Sequence, residues 1–363
     1  MKVQRLLFIV AMSVALFSCG SGSNNNNGDW VTRSAFGGPN RGSAVAFSIG
    51  NVGYVGTGFN GLYYYNDFWA FDPTQNQWTE VDTLPGQARA FAVGFATAKY
   101  GYCGTGYNGI NVFPGTGTNW ANDFYKFDPT ASTQWSQIAN IPIPNNAGRS
   151  QATAFGLATG IGGVLGGTDG QYIYKDFYQW DEATAAWTYT SYPGPKRVGA
   201  VSFVYRNRAY IVTGTGDNGV TLTDFWRYDP TATPQWVSGA AYQLRPIGGI
   251  TDQSYDAGYH IVRSNAVAFT MNNNGIPKAY VALGANGAAL ADCWEYDFGS
   301  DTWTQKQNFP GGARQLAIGL TINDSGYLGL GTSGSSPTPM SSFDDFTQFY
   351  PNLPYNQDDY TNE

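Results

Sequence analysis

The sequence predicts an all-β protein built from one repeated unit. Three observations support this prediction: a composition rich in glycine and aromatic residues, a segment that recurs six times, and an N-terminal Trp that supplies what the last copy lacks. Of 363 residues, 47 are Gly, 16% are aromatic and only 12% are charged. Short strands joined by tight turns have this composition, whereas helical proteins do not.

The recurring segment first appears as NDFWAFDPTQNQW at residues 66–78. Its relatives are NDFYKFDPTASTQW (122–135), KDFYQWDEATAAW (175–187), TDFWRYDPTATPQW (223–236), ADCWEYDFGSDTW (291–303) and the shorter DDFTQFYPN (344–352). Two apolar runs bounded by turn residues precede each copy, so one unit contains four strands. Because the aromatic and Asp residues recur in every unit, we expect them to build the fold: the aromatics pack between units and the Asp-Pro pairs form turns.

An Arg opens each unit, and successive arginines are 48, 60, 48, 66 and 51 residues apart. They are Arg41, Arg89, Arg149, Arg197, Arg263 and Arg314. This spacing is close to the kelch repeat of about 50 residues. The paired glycines after the second strand, the aromatic of "DFW" and the Trp beyond the Asp-Pro turn also resemble kelch motifs. The resemblance implies a six-bladed kelch-type β-propeller over residues 30–352, followed by a C-terminal tail, 353–363.

The last copy stops before its Trp, and Trp30 is the candidate replacement. Trp30 lies eleven residues before Arg41, just as Trp78 lies eleven before Arg89. The sequence therefore predicts that an N-terminal outermost strand completes the last blade and closes the ring, which protects sheet edges that would otherwise be open.

The first 18 residues are typical of a secretory signal, with Lys2 and Arg5 ahead of an apolar run. The segment Leu16-Phe17-Ser18-Cys19-Gly20 resembles the lipobox of bacterial lipoproteins, which implies lipidation at Cys19. An ordinary cleaved signal is the alternative. Residues 19–29 then form a polar tether. We expect a chain anchored to a membrane of the bacterial cell envelope, the outer membrane, with its domain periplasmic or surface-exposed.

Charge and cysteine content exclude some classes of protein. Without residues 1–18 the chain has 17 basic and 26 acidic side chains, a formal charge of −9, which does not suit a nucleic-acid binder. Cys103 and Cys293 lie in different units, so we expect no disulfide between them.

The six arginines are candidate ligand-binding residues. Each precedes the innermost strand of its blade, so all six belong to the face that carries the turns between second and third strands and the longest insertions, 110–121, 237–262 and 331–343. Related kelch domains bind acidic peptides through arginines here, and guanidinium groups match carboxylates. The alternative is that each Arg pairs with the Asp that begins the third strand; these are Asp67, Asp123, Asp176, Asp224, Asp292 and Asp345.

Aromatic residues near this face are the second set of candidates. Tyr107 and Trp120, with Phe59 and Phe113, have the apolar body and polar surroundings that stack on sugar rings. The predicted ligand is therefore a glycan, an acidic peptide or an envelope protein.

Enzymatic alternatives have less support in the sequence. The copper site of galactose oxidase, a kelch-type propeller, needs two His, and this chain has only His260. We expect no metal, no cofactor and no copper oxidase activity. A closer relative in fold is the sialic acid mutarotase, which needs an acid/base pair that no Glu here clearly supplies. The predicted function is a lipid-anchored binding module; the alternatives are a mutarotase-like carbohydrate isomerase and a structural subunit of a surface assembly.

Overall fold

The computed structural model describes residues 27–247, 261–334 and 341–360 and contains six four-stranded antiparallel sheets, the blades. The chain begins with β1 (Asp29–Thr32). Blade 1 contains β2 (Val45–Ile49), β3 (Val52–Gly56), β4 (Phe68–Asp72) and β5 (Gln77–Val81). Blade 2 contains β6 (Val93–Ala96), β7 (Gly101–Gly104), β8 (Phe124–Phe127) and β9 (Trp135–Ile138). Blade 3 contains β10 (Thr153–Gly156), β11 (Ile161–Leu165), β12 (Phe177–Asp181) and β13 (Ala186–Thr190).

Blade 4 contains β14 (Val201–Tyr205), β15 (Arg208–Val212), β16 (Phe225–Tyr228) and β17 (Trp236–Ser238). Blade 5 contains β18 (Val267–Asn273) and β19 (Ile276–Ala282), the small hairpin β20 (Ala285–Asn286) and β21 (Ala288–Ala289), then β22 (Cys293–Asp297) and β23 (Thr302–Lys306). Blade 6 contains β24 (Ile318–Ile322), β25 (Ser325–Gly329) and β26 (Phe346–Tyr350). Short 3-10 turns lie at Pro144–Asn146, Ala240–Tyr242 and Gln357–Asp359. None of the helices in the described ranges is long and apolar enough to cross a membrane.

The N-terminal strand completes blade 6. β1 pairs antiparallel with β26, from Asp29 opposite Tyr350 to Thr32 opposite Thr347. Trp30 is fully buried, and its indole N–H donates to the Gln307 carbonyl oxygen of blade 5 at 3.1 Å. The predicted six-bladed β-propeller, closed by an N-terminal outermost strand, is confirmed.

Trp residues of the outermost strands join neighbouring blades. The rings of Trp78, Trp135 and Trp187 pack on aromatic residues of their own blades, and their N–H groups donate to a carbonyl where the preceding blade ends. The bonds run from Trp78 to Ser34 (3.1 Å), from Trp135 to Asp82 (2.8 Å) and from Trp187 to Ala139 (2.8 Å). The recurring Trp is therefore a link between blades at the rim.

Two closed rings of backbone hydrogen bonds link all six blades near the axis. In the outer ring a glycine N–H after the second strand donates to the carbonyl of the next blade's opening Arg. These bonds are Gly58 to Arg89, Gly106 to Arg149, Gly167 to Arg197, Gly214 to Arg263, Gly284 to Arg314 and Gly331 to Arg41, at 2.7–3.0 Å. The glycines have φ between +93° and +112°, where a side chain would be strained, and this explains the repeated glycine.

The inner ring joins the residue two positions after each Arg to its counterpart in the next blade. Its members are Ser43, Phe91, Gln151, Gly199, Asn265 and Leu316, with N–H···O distances of 2.8–3.1 Å. All six are left-handed, with φ of 54–61°. An Ala follows each of them, at positions 44, 92, 152, 200, 266 and 317. These small side chains help line a central cavity of about 230 Å³.

Both internal cysteines are free and buried, Cys103 in β7 and Cys293 in β22. Burial raises the pKa of the Cys103 thiol to about 12 and raises the pKa of Cys293 as well. The two thiols are therefore protonated at neutral pH and serve as small core side chains.

Deletion of residues 30–36 is expected to lower the melting temperature sharply. The deletion removes the outermost strand of blade 6 and exposes the edge of β26, and the loss of a buried Trp alone costs about 3–5 kcal/mol. Thermal unfolding followed by circular dichroism measures the effect. Deletion of residues 20–26 is the matched control and should leave the melting temperature unchanged. Equal melting temperatures for both deletions would contradict the closure.

Candidate functional site

The loop face is defined here as the end of the propeller that carries the connections between second and third strands. These connections are residues 57–67, 105–123, 166–176, 213–224, 283–292 and 330–345, of which 335–340 lie outside the described residues. The six repeated arginines, the six repeated Asp residues and the candidate aromatics all belong to this end. They separate into a buried layer and an exposed layer.

The arginines form the buried layer. All six are at most 1% exposed. Each guanidinium group binds the Asp that begins the third strand of its own blade; Arg41 Nη1 and Nη2, for example, donate to Asp67 Oδ1 and Oδ2 at 2.5 and 2.8 Å. The other pairs are Arg89–Asp123, Arg149–Asp176, Arg197–Asp224, Arg263–Asp292 and Arg314–Asp345.

Each guanidinium group also donates to a backbone carbonyl. Arg41 Nη1 also donates to the Thr57 carbonyl oxygen at 2.9 Å, and the equivalent acceptors are Thr105, Gly166, Thr213, Leu283 and Leu330. Aromatic rings cover the planar faces: Arg41 lies 4.1 Å from the centroid of Tyr65, and Arg314 lies 3.8 Å from that of Phe343. Such contacts suit a delocalised cation.

An aromatic donor also binds the Asp in four blades. It stands two residues after the Asp: Trp69 Nε1 donates to Asp67 Oδ2 at 2.9 Å, and the others are Tyr125, Trp226 and Trp294; blade 3 has Tyr178 at this position. Blade 6 has Thr347 at this position. Tyr360, from the segment predicted as a C-terminal tail, supplies the missing donor, since its hydroxyl donates to Asp345 Oδ2 at 3.0 Å. Burial and the Asp345 carboxylate raise the pKa of Tyr360.

The arginines adopt the second of the two arrangements that the sequence left open, in which each Arg pairs with the Asp that begins the third strand. The guanidinium groups of Arg41, Arg89, Arg149, Arg197, Arg263 and Arg314 are covered and bonded to protein acceptors. Ligand binding by any of them stays a prediction. It would require an Asp pair to break, because removing one partner of a buried ion pair leaves an uncompensated charge at a cost of about 3–5 kcal/mol.

The exposed layer departs from the repeat. In each blade two residues of the connection face each other in a short β-bridge. The pairs are Phe59–Tyr64 in blade 1, Tyr107–Trp120 in blade 2, Thr168–Ile173 in blade 3, Thr215–Thr221 in blade 4, Ala285–Ala289 in blade 5 and Thr332–Ser342 in blade 6. Both members are aromatic only in blades 1 and 2. The fold therefore does not require aromatic side chains at this position.

These four residues, Phe59, Tyr64, Tyr107 and Trp120, form a continuous row, the aromatic arc. Phe59 stacks on Tyr64 with ring centroids 4.4 Å apart, Tyr64 meets Tyr107 edge to face at 6.2 Å, and Tyr107 lies 5.0 Å from Trp120. All four are half-buried. Phe113, the other aromatic candidate, is only 2% exposed and covers Arg89 at 4.9 Å, so it belongs to the buried layer.

Exposed apolar side chains surround the arc. They are Leu62 (73% exposed), Tyr63 (65%), Ile110 (72%), Val112 (54%), Tyr172 (56%) and Val220 (58%), all in the connections of blades 1 to 4. Apolar residues concentrated on one face of a protein mark a binding surface more often than scattered ones do. We call these six the tip residues.

Charged groups are scarce around the arc. The connections 57–66 and 104–122 contain no Asp, Glu, Lys or Arg. Beyond the paired Asp67 and Asp123, the next connection, that of blade 3, contains Asp169; its Oδ1 accepts the N–H groups of Gln171 and Tyr172, and its Oδ2 accepts the Tyr174 hydroxyl. Burial opposes ionisation, but these bonds outweigh it and lower the pKa of Asp169. Residues 57–66 and 104–122 are thus neutral, and the blade 3 connection beside them adds one carboxylate, Asp169, and one exposed cation, Lys175.

Two residues singled out by the sequence lie outside the described residues: Cys19, the predicted lipidation site, and His260. Among the residues that the structure does describe, no group of three or more His, Cys, Asp and Glu side chains could hold a metal ion.

Comparison with known proteins supports the fold. No protein-family profile matches the chain, and no curated protein matches it in sequence. Among solved structures, one titled "Structure of YjhT" superposes with a TM-score of 0.64 at 15% sequence identity, covering 87% of this chain and 96% of that one. At this identity the similarity concerns the fold alone.

Sequence reasoning named Tyr107 and Trp120 but missed Tyr64 and Tyr360. Tyr64 is one of three successive tyrosines with different environments: Tyr63 is exposed, Tyr64 stacks in the arc and Tyr65 covers Arg41. Side chains in a turn do not alternate regularly in direction as they do in a strand, so the sequence does not distinguish these three environments. A signal for Tyr360 was present, because Thr347 interrupts an aromatic position that every other blade keeps.

Replacement of Tyr360 by Phe is expected to lower the free energy of unfolding by about 2 kcal/mol, because it removes a hydrogen bond to a partly buried carboxylate. Denaturant unfolding measures the change. Tyr355→Phe is the matched control, since Tyr355 lies in the same segment, is 38% exposed and should be neutral. If the two variants are equally stable, Tyr360 does not complete the sixth Arg–Asp pair.

Proposed function

We propose that this protein is a lipid-anchored binding module of the bacterial cell envelope, which binds its partner on the aromatic arc and the tip residues of the loop face. The observation that supports this function is the departure from the repeat in blades 1 and 2. Residues that six equivalent blades share are explained by the fold, whereas Tyr64, Tyr107 and Trp120 are not shared. A binding site on loops that a rigid ring positions is a common arrangement.

The surface that contacts the partner in this proposal consists of the aromatic arc and the tip residues, not the arginines. Their positive charge is neutralised by the Asp partners beneath the loops, and residues 57–66 and 105–122 of blades 1 and 2 above them are uncharged. Stacking and apolar contact are therefore the interactions available to a partner at the arc. These interactions respond little to ionic strength, unlike ion pairs between exposed charges.

The position where the described chain begins is compatible with an anchor. Asn27 and Gly28 lie where blades 5 and 6 meet: the Gln307 N–H donates to the Asn27 carbonyl at 3.2 Å, and the Gly28 N–H donates to the Leu353 carbonyl at 2.9 Å. Blade 5 is three blades away from blade 2, on the other side of the ring. Cys19 is nine positions before Gly28, a reach of at most about 32 Å. An anchor there leaves the arc open to a partner.

Two alternatives remain as outcomes of experiment. A carbohydrate isomerase needs an acid/base pair beside its substrate. Of the described glutamates, Glu80 lies in β5 and Glu295 in β22, and Glu182 follows β12 at the end of the blade opposite the loop face. Apart from the aspartates that pair with the arginines, Asp169 is the next acidic side chain along the row of loops. A structural subunit would use the tip residues for assembly.

Replacement of Tyr107 and Trp120 by Ala is expected to weaken partner binding at least tenfold. The measurement is a glycan and peptide array probed with the mature chain carrying Cys19→Ser, at 50 mM and 500 mM NaCl. Thr215→Ala with Thr221→Ala is the matched control, because these residues form the equivalent bridge in blade 4. Melting temperatures show whether each variant is folded. Binding that survives loss of the arc, or no binding by the parent chain, would contradict the proposal.

Replacement of Cys19 by Ser is expected to release the protein from membranes, because the thiol that accepts the lipid is lost. Fractionation of cells expressing each form measures this, with metabolic labelling by a fatty-acid analogue. Ser18→Ala is the control and should leave the protein in the membrane fraction. Continued labelling of the Cys19→Ser protein would refute the anchor.

A further inference from the structure

We infer that the cleft between the loops of blades 1, 2 and 3, formed by Tyr64, Tyr107, Trp120 and Asp169, binds a neutral saccharide. This inference rests on the proposed function, since it names the ligand class for the same face. It follows from four properties of the cleft: exposed ring surface, polar atoms around the rings, a rigid loop and the sign of its charge.

Tyr107 and Trp120 supply the ring surface. Their centroids are 5.0 Å apart with an interplanar angle of 46°, so the two rings form a shallow angled wall. Both are half-buried, which fixes their positions and leaves part of each ring open. The apolar C–H face of a pyranose packs on such a surface, and Tyr64 extends it toward Phe59.

Polar atoms stand around these rings. A Cβ on Gly109 would lie 2.9 Å from the Tyr64 hydroxyl and 3.1 Å from the Tyr107 hydroxyl, so the two hydroxyls converge where glycine leaves room. Within the described residues the Trp120 indole N–H has no acceptor, whereas the indole of Trp69 donates to Asp67. Sugar hydroxyl groups both donate and accept, and therefore suit these donors and acceptors.

The loop of blade 2 is organised before a ligand arrives. Asn108 Oδ1 accepts the N–H groups of Ile110 and Asn111 at 2.9 and 3.1 Å, and its Nδ2 donates to the Ala88 carbonyl at 2.7 Å. Asn119 Nδ2 donates to the Asn108 carbonyl at 2.7 Å. A loop held in this way loses little conformational entropy on binding, which favours affinity for a small polar ligand.

The charge of the cleft favours a neutral ligand over an acidic one. A Cβ on Gly170 would lie 2.3 Å from the Trp120 ring, so the blade 3 loop lies directly against this indole. Asp169 precedes Gly170, and its lowered pKa keeps it ionised at neutral pH. The buried arginines are already paired with carboxylates. An acidic sugar or an acidic peptide would meet the Asp169 carboxylate beside the indole; the exposed cation of the same connection, Lys175, lies six residues further along, next to the third strand.

Gly109→Ala is the sharpest probe of the cleft. The added methyl crowds the Tyr64 and Tyr107 hydroxyls, and Gly109 has no positive φ that an Ala would strain. Gly216→Ala is the matched control, because Gly216 is a loop-face glycine of blade 4, also without a positive φ, where a methyl would lie 3.2 and 3.3 Å from the ends of the Asn218 and Leu222 side chains, away from the arc. Trp120→Phe removes the indole N–H and keeps an aromatic ring, and Trp120→Ala removes both.

The experiment measures calorimetric affinities of the mature chain carrying Cys19→Ser for neutral oligosaccharides of glucose, galactose, mannose and N-acetylglucosamine, and for sialylated and sulfated ones. We expect a neutral oligosaccharide to bind best, with a Kd that changes less than about twofold between 50 and 500 mM NaCl. Trp120→Ala should weaken binding at least tenfold, about 1.4 kcal/mol. Gly109→Ala and Trp120→Phe should each weaken it severalfold, and Gly216→Ala should leave it unchanged.

Three results would overturn the inference: no neutral saccharide binds, an acidic one binds better, or Gly109→Ala and Gly216→Ala bind equally. If a peptide or protein binds in a manner that depends on Trp120 while no saccharide does, the ligand class is wrong and the proposed binding face stands. If a saccharide binds equally well without Tyr107 and Trp120, both proposals fail. Accelerated anomer exchange of a bound sialic acid would point to the isomerase instead.

Discussion

The buried pair of an Arg and an Asp is the interaction on which the whole ring depends. Each guanidinium group is removed from water, and this cost is compensated only because the Asp, a backbone carbonyl and an aromatic ring together surround it. The carbonyl belongs to a left-handed residue, and the glycine after it donates to the Arg of the next blade. One side chain thus fixes the turn within its blade and the hydrogen bond between blades.

Much of this fold could be predicted from sequence, because it is repeated. Comparison of the six copies predicted the strands more clearly than any single segment could. The missing Trp of the last copy identified Trp30 as its replacement. The burial of the arginines could not be predicted in the same way. Arg41 lies in an irregular segment before β2, where no strand period fixes the direction of a side chain. The position of each Arg in its blade could be predicted, but the burial of its side chain could not.

The two kinds of departure from the repeat have different meanings. Thr347 departs at a buried position, and the chain compensates with Tyr360, so the sixth Arg–Asp pair keeps its aromatic donor. The aromatic residues Tyr107 and Trp120 depart at a half-buried position of the loop face where blades 3 to 6 have Thr, Ile, Ala or Ser, so the fold does not require them there. The second kind is where a function separate from folding is to be sought.

These two layers are connected through charge. The Asp residues neutralise the six arginines beneath the surface. The loops above therefore need no acidic side chains to balance that charge, and residues 57–66 and 104–122 of blades 1 and 2 are uncharged. An uncharged surface with exposed rings loses less on desolvation than a charged one and binds by contact area and hydrogen bonds. The same pairs that hold the blades together therefore determine that recognition at the arc relies on stacking rather than on ion pairs.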